Sequence, residues 1–140
     1  MASFNKFNSF VNYLGTAVMN LNTDTLKVML TNTAPVAGNT TYASISGNEI
    51  ANGNGYTTGG ATVASNAFSQ TGGVGTLTGT LANPTWTASG SMGPFRYVVA
   101  YDSSAAGAPL IGWWDYGSSL TLTSTQTFTV SIASGILTLQ

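Results

Sequence analysis

The first part of the chain has the hydrophobic spacing of an amphipathic helix. In SFNKFNSFVNYLGTAVMNL, six apolar residues recur at steps of three and four: Phe4, Phe7, Val11, Leu14, Val18 and Leu21. This spacing places their side chains on one face of a helix. Ser3 is a candidate N-cap, and Gly15 weakens or ends the helix in its middle. We therefore predict a helical segment over residues 1–21 that packs on its own domain or on a neighbouring subunit.

From residue 22 onward the hydrophobic pattern changes to the alternation of β-strands. In DTLKVMLT, residues 24–31, Leu26, Val28 and Leu30 face one way, while Lys27 and Met29 face the other, which predicts a half-buried strand. Residues 32–60 carry few apolar side chains and many turn formers. They predict a long ordered loop with a short helical or strand insert at residues 42–50, and loops of this length are usually functional.

Short strands separated by turn residues follow Gly60. ATVASNAF and VGTLTGTLAN predict a hairpin around TGG, FRYVVAYD pairs with LIGWWDYG across SSAAGAP, and TFTVSI returns through ASG into ILTL. Several short strands at regular spacing are typical of all-β folds. We predict one domain over residues 1–140, mainly β, in which residues 22–140 form an antiparallel β-sandwich or barrel.

Trp113 and Trp114 are adjacent in one of these strands. Neighbouring side chains of a strand point to opposite faces, so the two indoles cannot enter the same core. Burying an indole gains about 25 cal/mol per Å² over some 150–250 Å², so both faces of the sheet are expected to be covered. The cover could be another part of the chain, a second subunit, or a small ligand such as a sugar. Alternation predicts two sets that each share a face: Ile111, Trp113 and Asp115, and Leu110, Trp114 and Tyr116.

Charged residues are scarce and histidine and cysteine are absent. Only 5% of the residues are charged, against roughly 25% in a typical soluble domain, and the net charge is −1. Lys6, Lys27 and Arg96 cannot supply the basic cluster that a nucleic acid or an anionic membrane requires. The missing residue types remove the usual general base, the common nucleophile pairs, most zinc sites and disulfides. We therefore expect no metal, no cofactor, no nucleic-acid partner and no membrane association.

Four carboxylates remain for chemistry, at Asp24, Glu49, Asp102 and Asp115. Two acids held about 5–9.5 Å apart could cleave a glycosidic bond, but these four are scattered along the chain. We therefore predict that the chain is not an enzyme and has no catalytic residues. Asp115 is expected to meet Arg96 across the predicted hairpin and to form a structural ion pair.

Several segments, taken in order, resemble a known family. TDTLKVMLTNTAPVA, GNGYTTGGATVA, RYVVAYDSS with APLIGWWDYGSS, and SGILTL resemble small virion proteins of tailed bacteriophages, similar in kind to capsid decoration (cement) proteins. The resemblance extends from Thr23 to Leu139. It implies a structural protein that is assembled in the host cytoplasm and lies on the outer head surface of the virion. Its implied partners are the major capsid protein and its own copies, with a trimer favoured.

Two alternatives to a decoration protein stay open: a tail or fibre adaptor or receptor-binding component, and a carbohydrate-binding module. In each case the contact surface is expected to use aromatic and aliphatic residues of the N-terminal segment, the long loop and the tryptophan strand. The candidates are Phe4, Phe7, Phe10, Val11, Leu14, Tyr42, Tyr56, Trp113, Trp114 and Tyr116.

Overall fold

The structure, a computed structural model, describes residues 4–63, 66–79, 83–131 and 137–139. One helix, α1, spans Asn8–Gly15. The strands in chain order are β1 (Phe4–Lys6), β2 (Leu26–Thr31), β3 (Ala61–Thr62), β4 (Asn66–Thr71), β5 (Val74–Gly79), β6 (Thr85–Thr87), β7 (Met92–Asp102), β8 (Leu110–Leu122), β9 (Thr127–Thr129) and β10 (Leu137–Leu139). The predicted mainly β, antiparallel fold with a short N-terminal helix is confirmed, and it is sandwich-like.

The strands form one large and two small antiparallel sheets. The large sheet has the order β1-β8-β7-β2-β3, and the small ones have the orders β10-β5-β4 and β6-β9. Leu77 of β5 and Trp86 of β6 belong to the same core as Leu26, Val28 and Leu30 of β2, so the small sheets pack over one face of the large sheet. We call this the inner face and the opposite one the outer face.

The N-terminal helix is shorter than predicted. α1 begins at Asn8, and Phe4–Lys6 form β1, which pairs with β8. Since this strand takes Phe4 out of the helical repeat, the inward side of α1 is set by Phe10, which is fully buried, and Val11 is 52% exposed. Gly15 is the last residue of α1, as expected. Ser3, the candidate N-cap, lies outside the described residues.

Both faces of the large sheet are covered by other parts of the same chain. On the outer face, Met29, Val99 and Leu110 are completely buried under a cover that includes Phe7, which precedes α1, and Ile45 of the long loop. The prediction that β2 is half-buried is therefore wrong, because the loop and the N-terminal segment return over its second side. The cover expected over both faces is present within the chain.

A β-bulge in β8 reverses the predicted orientation of the two tryptophans. Tyr101 pairs with Leu110 but Ala100 pairs with Gly112, so Ile111 is an extra residue that the partner strand does not match. Each side chain after the bulge is thereby moved to the other face. Trp113 packs with Leu110 on the outer face and Trp114 packs with Ile111 on the inner face, the reverse of the strict alternation expected from the sequence.

The predicted loop insert and the predicted hairpin are both present. The loop over residues 32–60 contains two short 3₁₀ helices, Tyr42–Ser44 and Ser46–Asn48. β4 and β5 are joined by Gly72 and Gly73, both at positive φ, as a two-residue hairpin turn requires. ATVASNAF is not one strand, however, since Ala61–Thr62 pairs with β2 and residues from Asn66 pair with β5.

Candidate functional site

The two indoles are part-buried, and each contacts a phenylalanine of the N-terminal segment. The Trp114 and Phe4 rings have centroids 5.2 Å apart, and the Trp113 and Phe7 rings have centroids 4.6 Å apart. Gly112 makes this possible, because a Cβ at that position would collide with the Phe4 ring and the backbone of β1. Part of each indole surface is therefore used inside the chain and is not open to a ligand.

The predicted contact residues fall into three groups by their exposure. Phe7, Phe10 and Tyr56 are buried in the core of the chain, so they do not form part of an accessible surface. The other members are the part-buried Phe4, Leu14, Tyr42, Trp113 and Trp114 and the exposed Val11 and Tyr116. Aromatic rings that looked like interface residues in the sequence mostly serve to hold the N-terminal segment and the loop on the sheet.

A carboxylate at the centre of the long loop collects three hydrogen bonds. Glu49 accepts bonds from the hydroxyl of Tyr42 (2.6 Å), the hydroxyl of Tyr56 (2.5 Å) and the backbone N–H of Gly59 (2.7 Å). The Tyr101 hydroxyl donates to the carbonyl of Gly59 at 2.6 Å, and the Tyr101 ring stacks on Tyr42 with a centroid distance of 4.8 Å. We call these five residues the Glu49 clamp. Through Tyr101, it fastens the long loop to β7 at two places, Tyr42 and Gly59.

The electrostatics of the Glu49 clamp keep its tyrosines protonated. Burial, and next the charge of Glu49, raise the pKa of Tyr101 to about 12. Burial, followed by the hydrogen bond to Glu49, raises the pKa of Tyr42 and of Tyr56 still further. The two hydroxyls therefore stay donors at any ordinary pH. The sequence analysis treated Tyr42 and Tyr56 as contact residues and did not connect them to Glu49, since no spacing rule pairs residues in an irregular loop.

The Glu49 clamp also provides a hydrogen-bond partner for the backbone at the edge of β2. β3 pairs with Lys27 and Val28 only, so Leu30 has no strand partner on that side. The Leu30 N–H donates instead to the Tyr56 hydroxyl at 3.0 Å, and the Leu30 carbonyl accepts from the N–H of Ile50 at 3.1 Å. The loop therefore acts as a cover for an open sheet edge, a position where unprotected strands otherwise pair with other chains.

The predicted ion pair between Arg96 and Asp115 is present and bidentate. The Arg96 Nε and Nη2 atoms donate to the two carboxylate oxygens at 2.7 and 2.8 Å, and Arg96 lies over the Tyr97 ring at 5.3 Å. The hydrogen bond from Arg96 and a second from the Gly117 N–H lower the pKa of Asp115. The two side chains are 39% and 35% exposed, so this pair is screened by solvent and salt.

All four carboxylates of the chain take part in contacts that hold the fold. Besides Glu49 and Asp115, Asp24 accepts the N–H of Asn20 at 2.5 Å, and Asp102 accepts two backbone N–H groups and a hydroxyl of the turn that follows β7. In the described part of the chain, no three side chains of the metal-ligating types come together. None of the described helices is long and apolar enough to cross a membrane.

One open cavity of about 480 Å³ lies beside the end of α1. It is lined mainly by Leu14, Ala17, Met19, Leu21 and Phe68. Val18, which lies between Ala17 and Met19 of this lining in the sequence, is 40% exposed, so this end of α1 is one of the apolar parts of the described surface that the chain itself leaves uncovered.

Comparison of the chain with protein-family models, with curated proteins and with solved structures found no match.

Proposed function

We propose that this chain is a structural virion protein of a tailed bacteriophage, a capsid decoration (cement) protein that binds across coat subunits on the outer head surface. The observation that carries the proposal is the use of its four carboxylates, each of which holds a loop, a turn or a strand of the chain's own fold. A chain with only three basic residues besides these acids, and no histidine, then offers a partner a nearly neutral surface, suited to binding and not to proton transfer.

Four segments, taken in their order along the chain, resemble small phage virion proteins, and this resemblance supports the same role. A decoration protein meets its coat at many symmetry-related positions, so modest contacts gain from avidity on the lattice. Short Ser and Thr side chains lose less rotamer entropy on binding than Lys or Glu side chains do. The proposed homo-oligomer, with a trimer favoured, would multiply these contacts further.

We assign the coat contact to the exposed valines of the N-terminal segment and the long loop. Val11 of α1 is 52% exposed, Val18 in the turn after α1 is 40% exposed, and Val36 of the loop is 66% exposed. The loop and α1 are tied together, since the N–H of Asn8 donates to the carbonyl of Ala37 at 2.9 Å. Exposed valines in a chain with so few charges favour an apolar partner surface on the coat protein.

The direct test is binding of the purified protein to phage heads that lack it, with expanded heads and procapsid-like shells compared. We expect binding to expanded heads that barely changes between about 50 and about 500 mM salt, because few charges take part. Val11→Asp and Val36→Asp place a charge on the assigned surface at positions where the fold does not bury the side chain, and they should abolish or strongly weaken binding. Ser69→Asp, an exposed change of equal charge on β4, is the matched control and should bind as wild type does.

Three results would contradict this proposal. A steep salt dependence would indicate an electrostatic interface, and labelling of intact particles at the tail would indicate a tail or fibre component. Binding to a glycan array that is lost in Trp114→Ala would indicate a carbohydrate-binding module. Measurement of the mass of the purified protein in solution tests the proposed homo-oligomer separately.

A further inference from the structure

Asp102, the last residue of β7, is completely buried, and one of its carboxylate oxygens has no donor. Its Oδ1 atom accepts the N–H of Ser104 (2.9 Å), the hydroxyl of Ser104 (2.9 Å) and the N–H of Ala105 (3.0 Å). Its Oδ2 atom is equally buried and receives a hydrogen bond from no described group. A buried ionised oxygen without a partner is costly in free energy, so this oxygen is expected to bind a proton or a cation.

The group within hydrogen-bonding reach of this carboxyl is a second carboxyl, that of Asp24. The two chain segments are held together by backbone contacts. The N–H of Ser103 donates to the carbonyl of Thr25 at 2.9 Å, and the N–H of Thr25 donates to the hydroxyl of Ser104 at 2.8 Å. Two carboxylates are both acceptors and cannot bond to each other, whereas a carboxylic acid donates well to a carboxylate.

We propose that the buried Asp102 carboxyl keeps its proton and donates it to the carboxylate of Asp24, and that this hydrogen bond is a pH-sensitive lock. The lock fastens the turn over residues 20–25 to the turn over residues 103–105, at one end of the large sheet. While the proton is present, the orphaned Oδ2 atom of Asp102 has its partner. When the proton leaves, the buried oxygen of Asp102 is left ionised without a donor, beside the part-buried carboxylate of Asp24, and this end of the sheet loosens.

The surroundings favour a retained proton. Burial raises the pKa of Asp102, the N–H of Ala105 acts against it, and the contact with Asp24 raises it again. The nearest other titratable groups on β2 and β7 are Lys27 and Tyr101, which pair with each other. Each is the neighbour of a residue in the Leu26–Asp102 pair, so both side chains point to the opposite face of the sheet. Asp102 is thus free of a cation that would stabilise its charge among the described residues.

The sign of the pH dependence follows from the raised pKa. The lock contributes its full stability below the ordinary carboxyl pKa of about 4, where Asp102 binds a proton in the folded and the unfolded chain. That contribution falls as the pH rises through the raised pKa of folded Asp102 and is lost above it. Raising the pH to neutrality is therefore expected to loosen this end of the sheet. Ion-paired acids usually behave in the opposite way, since they stabilise a fold as the pH rises.

The test uses amide hydrogen exchange of the wild-type protein between pH 4 and pH 8, corrected for the intrinsic pH dependence of exchange. We expect the protection of the Thr25 and Ser103 amides to fall as the pH rises, by a factor of about ten for each unit by which folding raises the pKa of Asp102. The Leu30 amide, held by the Glu49 clamp, is the internal control and should keep its protection. Titration of the Asp102 side-chain carbon by NMR should show a midpoint above the ordinary value for an aspartate.

Asp24→Asn is the decisive variant. Its amide oxygen can still accept the N–H of Asn20, and its NH₂ group can donate permanently to Asp102, so protection at Thr25 and Ser103 should become independent of pH. Asp102→Asn tests the same lock from the other side and should give the same result. A pH-independent wild type, or an ordinary midpoint for Asp102, would overturn the proposal. So would stabilisation of the wild type by Ca²⁺ or Mg²⁺ at neutral pH that disappears in Asp24→Asn, because the pair would then hold a cation.

Discussion

Replacing Tyr56 by phenylalanine removes one hydroxyl group that lies between β2 and the long loop. Tyr56 is only 2% exposed, and its hydroxyl accepts the N–H of Leu30 and donates to Glu49. The change keeps the ring and its packing against Trp86, with a centroid distance of 6.1 Å, so no cavity larger than an oxygen atom is created. The measured effect therefore reports the two hydrogen bonds.

The expected loss of stability can be estimated from each bond. Leu30 is completely buried, so its N–H is left without an acceptor at a cost of about 1–3 kcal/mol. The bond to the charged Glu49 adds about 1–2 kcal/mol, at the low end of charged hydrogen bonds, because Glu49 is part-exposed and keeps two other donors. We expect a total of about 2–5 kcal/mol, which for a chain of 140 residues lowers Tm by about 7–17 °C.

Thermal and urea unfolding followed by tryptophan fluorescence and circular dichroism measure this difference. Tyr116→Phe is the matched control, since Tyr116 is 53% exposed and its hydroxyl bonds to no described residue, and it should change stability by less than about 0.5 kcal/mol. Equal stability of Tyr56→Phe and wild type would refute the assigned role of the Glu49 clamp. Faster hydrogen exchange at Leu30 in Tyr56→Phe should accompany the lower Tm.

Three further changes test other parts of the fold. Gly60→Ala should prevent folding or lower Tm sharply, because Gly60 has a φ of +71° and a Cβ there would collide with the backbone of Val28; expression and circular dichroism check this. Phe10→Ala should cost about 3–5 kcal/mol in urea unfolding while Val11→Ala costs less than about 0.5 kcal/mol, and the reverse order would contradict the observed start of α1. Asp115→Asn should lower Tm only modestly, and less at high salt. Since the pKa of Asp115 is lowered, the ion pair contributes above pH 4 or so and is lost on acidification, so the Tm values of Asp115→Asn and wild type should converge at low pH.

Features that follow from local chemistry were predictable from the sequence. Gly72 and Gly73 between two alternating segments specify a two-residue hairpin, and the chain forms it. Arg96 and Asp115 carry opposite charges on adjacent strands, and their side chains form the predicted ion pair. The two adjacent tryptophans required cover on both faces of the sheet, and that cover is present. Each of these inferences needed only the geometry of a strand or a turn.

Features that depend on the tertiary structure could not be read from spacing alone. A single extra residue, Ile111, exchanged the faces of Trp113 and Trp114, and no composition signal marks such a bulge. The helix α1 begins only at Asn8 because Phe4–Lys6, which the helical spacing includes, found a partner strand in β8. Glu49 and Asp102 were seen only as scattered acids, since the groups that meet them come from distant parts of an irregular chain.

The bulge at Ile111 makes the length of β8 as important as its composition. Removing one residue between Leu110 and Trp113 would restore alternation over this stretch and turn the side chains from Trp113 to Asp115 over, so that Asp115 would enter the core on the inner face and Trp114 would leave it. Natural variants of this chain should therefore differ in this stretch by exchange of residue types and conserve its length, whereas the tips of its turns are free to gain or lose residues.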